Sequence, residues 1–105
     1  MIQGKSHEKI KVIVDPELQD LIPGFLQNRR LDVSKLQDAA ETDDFETIHT
    51  LGHRMRGDGG GYGFAMISEL GHAIEAAAKD KDLLEIRRRV VELERYLDRV
   101  EVVYE

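Results

Sequence analysis

The sequence predicts an all-α protein, an antiparallel four-helix bundle with a short extended N-terminal arm. Apolar residues recur at helical spacing in four successive stretches. Short turns rich in Asp and Gly separate those stretches. Amphipathic helices joined so tightly run antiparallel to their sequence neighbours and bury their stripes together. At 105 residues the chain is one domain, large enough for a single core and too small for two. We assign residues 1–14 to the arm and 15–105 to the bundle.

The arm opens with a polar lead containing His7 and ends in Ile10-Lys11-Val12-Ile13-Val14. That run is β-prone and has no evident partner strand, so it is expected to lie extended on the domain. Asp15-Pro16 then starts the first helix, with Asp15 as N-cap and Pro16 at the first helical position. Leu18, Leu21, Ile22, Phe25, Leu26, Leu36, Ala39 and Ala40 form its stripe. Pro23-Gly24 falls inside the pattern. Because the stripe stays in phase across Pro23, one helix from about Pro16 to Glu41 is expected, kinked at the proline. Leu31-Asp32-Val33-Ser34 is a second weak point.

Thr42-Asp43-Asp44 is a turn with a capping carboxylate, and Phe45 opens the second helix. Gly63-Phe64 restarts a third, carrying Phe64, Ile67, Leu70, Ile74, Ala77 and Ala78 inward. After the turn Asp80-Lys81-Asp82, the fourth helix buries Leu83, Ile86, Val90, Leu93 and Leu97. Its outer face is dense in Arg, Glu and Asp, the pattern of a solvated, ion-paired surface.

Composition excludes several functions. With 21 acidic against 15 basic residues the net charge is -6, a field that repels nucleic acid. The absence of cysteine removes disulfides and thiolate metal sites. No apolar run is long enough to span a membrane, and the N-terminus has no secretory h-region. A cytoplasmic protein is expected.

The chemistry concentrates in Leu51-Gly52-His53-Arg54-Met55-Arg56-Gly57-Asp58-Gly59-Gly60-Gly61-Tyr62-Gly63. On a helical projection Phe45, Ile48, Leu51, Gly52, Met55, Gly59 and Tyr62 define the buried arc, and His53 points to solvent. Arg56 lies on the same flank, one turn on. Gly57 and Gly60 fill the next places around the ring, each costing roughly 0.5–1 kcal/mol against alanine within a helix. Either the glycines form a loop that ends the helix near Gly57, or the helix persists and its bare side is kept clear for a docking partner.

His-Xaa-Met-Arg-Gly with a further glycine ten residues past the histidine resembles the signature of histidine-containing phosphotransfer (HPt) domains. It maps onto His53, Met55, Arg56, Gly57 and Gly63. Phe25, Leu36, Ala39, Asp44 and Phe45 occupy matching upstream places, and Leu70-Gly71-His72-Ala73-Ile74-Glu75-Ala76-Ala77 is similar to the family's third helix. The resemblance covers about residues 16–98. Arg56 stands where lysine is commoner, and Asp58 with three glycines replaces small polar residues.

The resemblance implies that the helix continues through the glycines and that His53 is a phosphoacceptor, through Nε2. Arg56 would stabilise the phosphoryl group, Gly57, Gly60 and Gly61 would admit the partner, and Gly63 would make the turn. The partners implied are a response-regulator receiver domain and a histidine kinase or hybrid kinase. The receiver would bring the aspartate and Mg²⁺, so no cofactor is expected on this chain. A monomeric carrier is expected, not an enzyme: the glycine cluster lacks the Lys-(Ser/Thr) of a P-loop, and no strand precedes it.

Two other classes compete. Glu46, His49 and His53 at helical spacing, with His72 on the next helix, could hold a metal. His53 faces solvent and Arg56 crowds the same flank, so no metal site is assigned; His49 reads as a residue at the core boundary and His72 as structural. The other class is a helical interaction module, a degenerate HPt fold that binds without being phosphorylated.

Overall fold

The computed structural model describes residues 8–105; His7 and the rest of residues 1–7 lie outside the described residues. The order is β1 (Ile10–Val14), a 3-10 turn (Pro16–Leu18), α1 (Ile22–Glu41), α2 (Phe45–Gly61), α3 (Ala65–Lys79), α4 (Leu83–Arg99) and β2 (Val100–Tyr104). Each helix packs on its sequence neighbour, and α4 closes the ring against α1. The α2–α3 edge therefore lies across the bundle from the α1–α4 edge. None of the described helices is long and apolar enough to cross a membrane.

The first helix is broken, not kinked. Asp15 caps as expected, its carboxylate accepting from the Glu17 amide at 2.9 Å, but the helix it starts ends after one 3-10 turn. A new helix begins at Ile22, which places Pro23 in its first turn. Proline has no N–H to give and its ring clashes with the carbonyl four residues back, so the first turn is where it fits. The stripe is not continuous across the break: Leu21 is exposed while Ile22 is buried. From there α1 runs through residues 31–34 without interruption, with Asp32 paired to Arg29 at 2.9 Å.

The arm has a partner after all. β1 pairs in parallel with β2, in register from Ile10 opposite Val100 to Val14 opposite Tyr104. The Glu105 amide extends the ladder to the Val14 carbonyl at 3.2 Å, and Arg99 Nε donates to the Glu8 carbonyl at 2.8 Å. Val14 anchors the ribbon in the core.

The three interhelical turns share one form. Asp43, Gly63 and Lys81 each have φ in the left-handed region, at 55°, 93° and 54°. The next residue's amide then returns to a carbonyl in the last turn of the preceding helix: Asp44 to Ala39 at 2.9 Å, Phe64 to Gly59 at 2.8 Å, Asp82 to Ala77 at 2.9 Å. Asp44 and Asp82 go on to cap the following helices through Thr47 and Glu85.

The core is the set the periodicity picks out: Leu36, Ile48, Met55, Phe64, Ile67, Ile74, Ile86 and Leu93 are fully enclosed. Phe25 of α1 stacks on Tyr62 at 4.5 Å and Phe64 at 5.4 Å, sealing the end of α2. Gly52, Gly59 and Gly71 bring α2 and α3 into backbone contact. A Cβ on Gly71 would lie 2.5 Å from the Arg56 amide nitrogen, and one on Gly59 2.6 Å from that of Ser68.

Candidate functional site

α2 is helical through Gly61, so the glycine run is part of the helix and not a loop. His53 and Arg56 therefore sit one turn apart on one exposed flank, as the projection predicts, and that flank borders α3. The His53 side chain is 67% exposed. Arg56 is about half exposed.

The residue that organises them is Glu75 of α3. His53 Nδ1 lies 2.9 Å from Glu75 Oε2, and Arg56 Nη1 donates to Glu75 Oε1 at 3.0 Å. One carboxylate thus holds both side chains, one on each oxygen. The Arg56 guanidinium, helped by His53, keeps the Glu75 carboxyl below the usual carboxylate range against its partial desolvation. An ionised carboxylate can only accept, so His53 Nδ1 must donate. The neutral imidazole then carries its proton on Nδ1, leaving the Nε2 lone pair directed away from Glu75 into solvent. This is the arrangement of a nucleophilic nitrogen with an oriented ring.

His49 joins the same carboxylate. Its Nε2 lies 3.6 Å from Glu75 Oε2, and its ring lies parallel to that of His53, 3° between planes and 6.5 Å between centroids. It is half-buried, at the core boundary as its spacing suggests. His72 is exposed, on α3, where it lines a cavity of about 170 Å³ with Arg56, Glu75, Ala76, Lys79 and Asp80. Among the described residues no group of three or more His, Asp or Glu side chains is arranged to hold a metal ion.

The glycines divide into two kinds. Gly52, Gly59 and Gly71 are required by the helix crossing, and Gly63 by its φ of +93°. Gly57 and Gly61 face open space, where a Cβ would meet nothing within 4 Å, and a Cβ on Gly60 would make an ordinary 3.5 Å contact with Ser68 Oγ. The fold gives no steric reason for glycine at 57, 60 or 61.

Glu75 is the residue of this cluster that helical projection does not find. The resemblance includes Glu75 only as part of a matching third helix, and spacing along α2 gives Arg56 no partner. The signal was available in the hairpin geometry: His53 and Glu75 lie eleven residues on either side of Phe64, at the turn, and so stand level on adjacent antiparallel helices.

A family model, described as the Hpt domain, matches residues 20–102. Neither a curated protein nor a solved structure matches the chain.

Proposed function

The chain belongs to the Hpt domain family, whose role is phosphotransfer in two-component signalling, and on that premise we propose that His53 Nε2 is the phosphoryl acceptor. The observation that carries the reading is the 2.9 Å contact between His53 Nδ1 and Glu75, which leaves Nε2 as the free nucleophile. The donor is an aspartyl phosphate of a receiver domain or the phosphohistidine of a kinase. Nε2 attacks phosphorus in line, the bond from phosphorus to the donor atom breaks, and the electron pair leaves with the donor. The ring becomes an N-phosphoimidazolium whose Nδ1 proton faces the Glu75 carboxylate. Return to a receiver aspartate reverses these steps.

Arg56 has two tasks in this scheme. At rest it neutralises Glu75 from the Oε1 side. Once phosphorylated, His53 carries an added charge of about -1.5 to -2, and the half-exposed guanidinium offers its remaining N–H groups to the phosphoryl oxygens. The receiver supplies the Mg²⁺, and the chain works as a cytoplasmic, monomeric carrier with no ATP site of its own. Gly57, Gly60 and Gly61 form the bare approach along α2, on which a receiver can bring its aspartate close to the ring.

The test is the identity of the phosphorylated atom. In protein carrying ¹⁵N-labelled histidine and loaded by a receiver, phosphorus should couple to Nε2 of one ring and vanish in His53→Gln. Coupling to Nδ1, or to a ring that survives that substitution, overturns the assignment.

A further inference from the structure

Two imidazoles converge on one oxygen. His53 Nδ1 is 2.9 Å from Glu75 Oε2 and His49 Nε2 is 3.6 Å from the same atom. The other oxygen is taken by Arg56. Arg56 already balances the single charge of this carboxylate, so a positive charge on both rings at once would leave the cluster over-charged.

We infer that His49 sets the lifetime of phosphorylated His53, by competing as a cation for the carboxylate that would otherwise stabilise the phosphoimidazolium. The inference rests on His53 being the carrier, and it concerns a residue that need touch neither phosphorus nor the partner.

The chemistry is as follows. When the P–N bond breaks, its electron pair stays on Nε2. With Nδ1 protonated, the departing group is a neutral imidazole; with Nδ1 deprotonated it would be an imidazolate, a far poorer leaving group. The protonated form is therefore the one that hydrolyses and donates readily. A positive His49 ring 6.5 Å away disfavours a proton on Nδ1. Protonated His49 thus holds phosphorylated His53 in its neutral, slow form. A docking partner that separated His49 from Glu75, or a rise in pH that discharged it, would remove the restraint.

Other charged groups flank this cluster on both sides. Arg56 is bound to Glu75 on the far oxygen. From α3, Lys79, His72 and Asp80 border the cavity on the Arg56 side of Glu75. On α2, Glu46 and Arg54 line the opposite groove with Lys35 and Asp38 of α1.

The experiment phosphorylates the whole protein chemically with phosphoramidate and follows loss of the His53 phosphoryl group by ³¹P NMR from pH 5.5 to 9. His53→Gln identifies the signal, and using a chemical donor makes the result independent of any receiver or kinase. At 6.5 Å a full unit charge near a surface shifts such a proton equilibrium by about half to one pH unit, so His49→Gln should lose phosphate up to about three- to tenfold faster than His49→Lys, with wild type between the two. Wild type should converge on His49→Gln as the pH is raised, since an imidazole can lose its charge in this range and a lysine cannot. His49→Lys keeps a cation at all these pH values and should restore slow loss, extending it to pH 8. Equal rates for wild type and His49→Gln, or equally fast loss from His49→Lys and His49→Gln, would overturn the inference. Failure of receivers to load His53 would instead count against the carrier reading alone.

Discussion

Gly52 and Gly71 bring α2 and α3 together backbone to backbone: a Cβ on Gly71 would stand 2.7 Å from the Gly52 carbonyl oxygen. The consequence lies one turn along α3. Glu75 follows Gly71 by four residues, and only because the helices touch there can its short side chain span His53 and Arg56 at 2.9 and 3.0 Å. The packing of two residues with no side chain sets the geometry of three residues that have chemistry.

Gly71→Ala tests that dependence. The new methyl group meets backbone that cannot swing aside, so α2 and α3 must separate, at a cost of about 1–3 kcal/mol. We expect a lower urea midpoint together with loss of the fixed His53 tautomer in ¹⁵N spectra. A destabilised variant with an unchanged His53 tautomer would show that Glu75 finds its partners without the close crossing.

The open glycines should behave in the opposite way. Gly57→Ala and Gly61→Ala meet nothing in the fold, and each should stabilise the protein by about 0.5–1 kcal/mol in chemical unfolding. Gly57→Leu and Gly60→Leu should keep the helical circular dichroism and block phosphotransfer. Transfer that survives both leucine substitutions would rule out a cleared docking surface.

Two of the three turns make a matched pair of predictions. Lys81 adopts φ 54° with a side chain, and Gly63 adopts φ 93° without one. Lys81→Gly should gain about 0.5–1 kcal/mol by relieving left-handed strain, whereas Gly63→Ala should lose about 1 kcal/mol. Thermal melts of the two variants, run side by side, read the sign directly.

Glu75 also gives the fold a pH signature. Its carboxyl is held below the ordinary 4.5, first by Arg56. A depressed carboxylate stabilises the folded state above its unfolded value, and that contribution disappears as pH falls through the folded value. Wild type should therefore exceed Glu75→Gln in stability at neutral pH, with the gap closing below about pH 4.5. A gap that stayed constant down to pH 3 would mean that the ionised carboxylate contributes nothing through these contacts.

The helices and their buried faces were legible because each stripe has one period and ends in recognisable turn chemistry. Ile48, Leu51, Gly52, Met55 and Gly59 are buried on α2 as the projection requires. Two elements were misread for separate reasons. Pro23 looked like a kink because apolar residues flank it on both sides, but the projection cannot see that Leu21 faces solvent. The ribbon is hidden because Val100-Glu101-Val102-Val103-Tyr104 directly continues a helix, although Val100, Val102 and Val103 stand opposite Ile10, Val12 and Ile13 once the two are paired.

The site was legible in part for a similar reason. His53, Arg56 and the glycines lie on one helix, where spacing fixes their relation. Glu75 and His49 meet at one oxygen, and that contact depends on how far apart two helices stand. Spacing along one helix carries no such distance. The close approach is encoded in Gly52, Gly59 and Gly71; the projection puts Gly52 and Gly59 on the buried arc but does not give the distance to the helix they meet.

The most direct measurement is phosphotransfer from a panel of phosphorylated receiver domains to this protein and to His53→Gln. The account predicts acid-labile, alkali-stable label on the wild type and none on the variant. Label on both proteins, or on neither while the bundle remains folded, would contradict it.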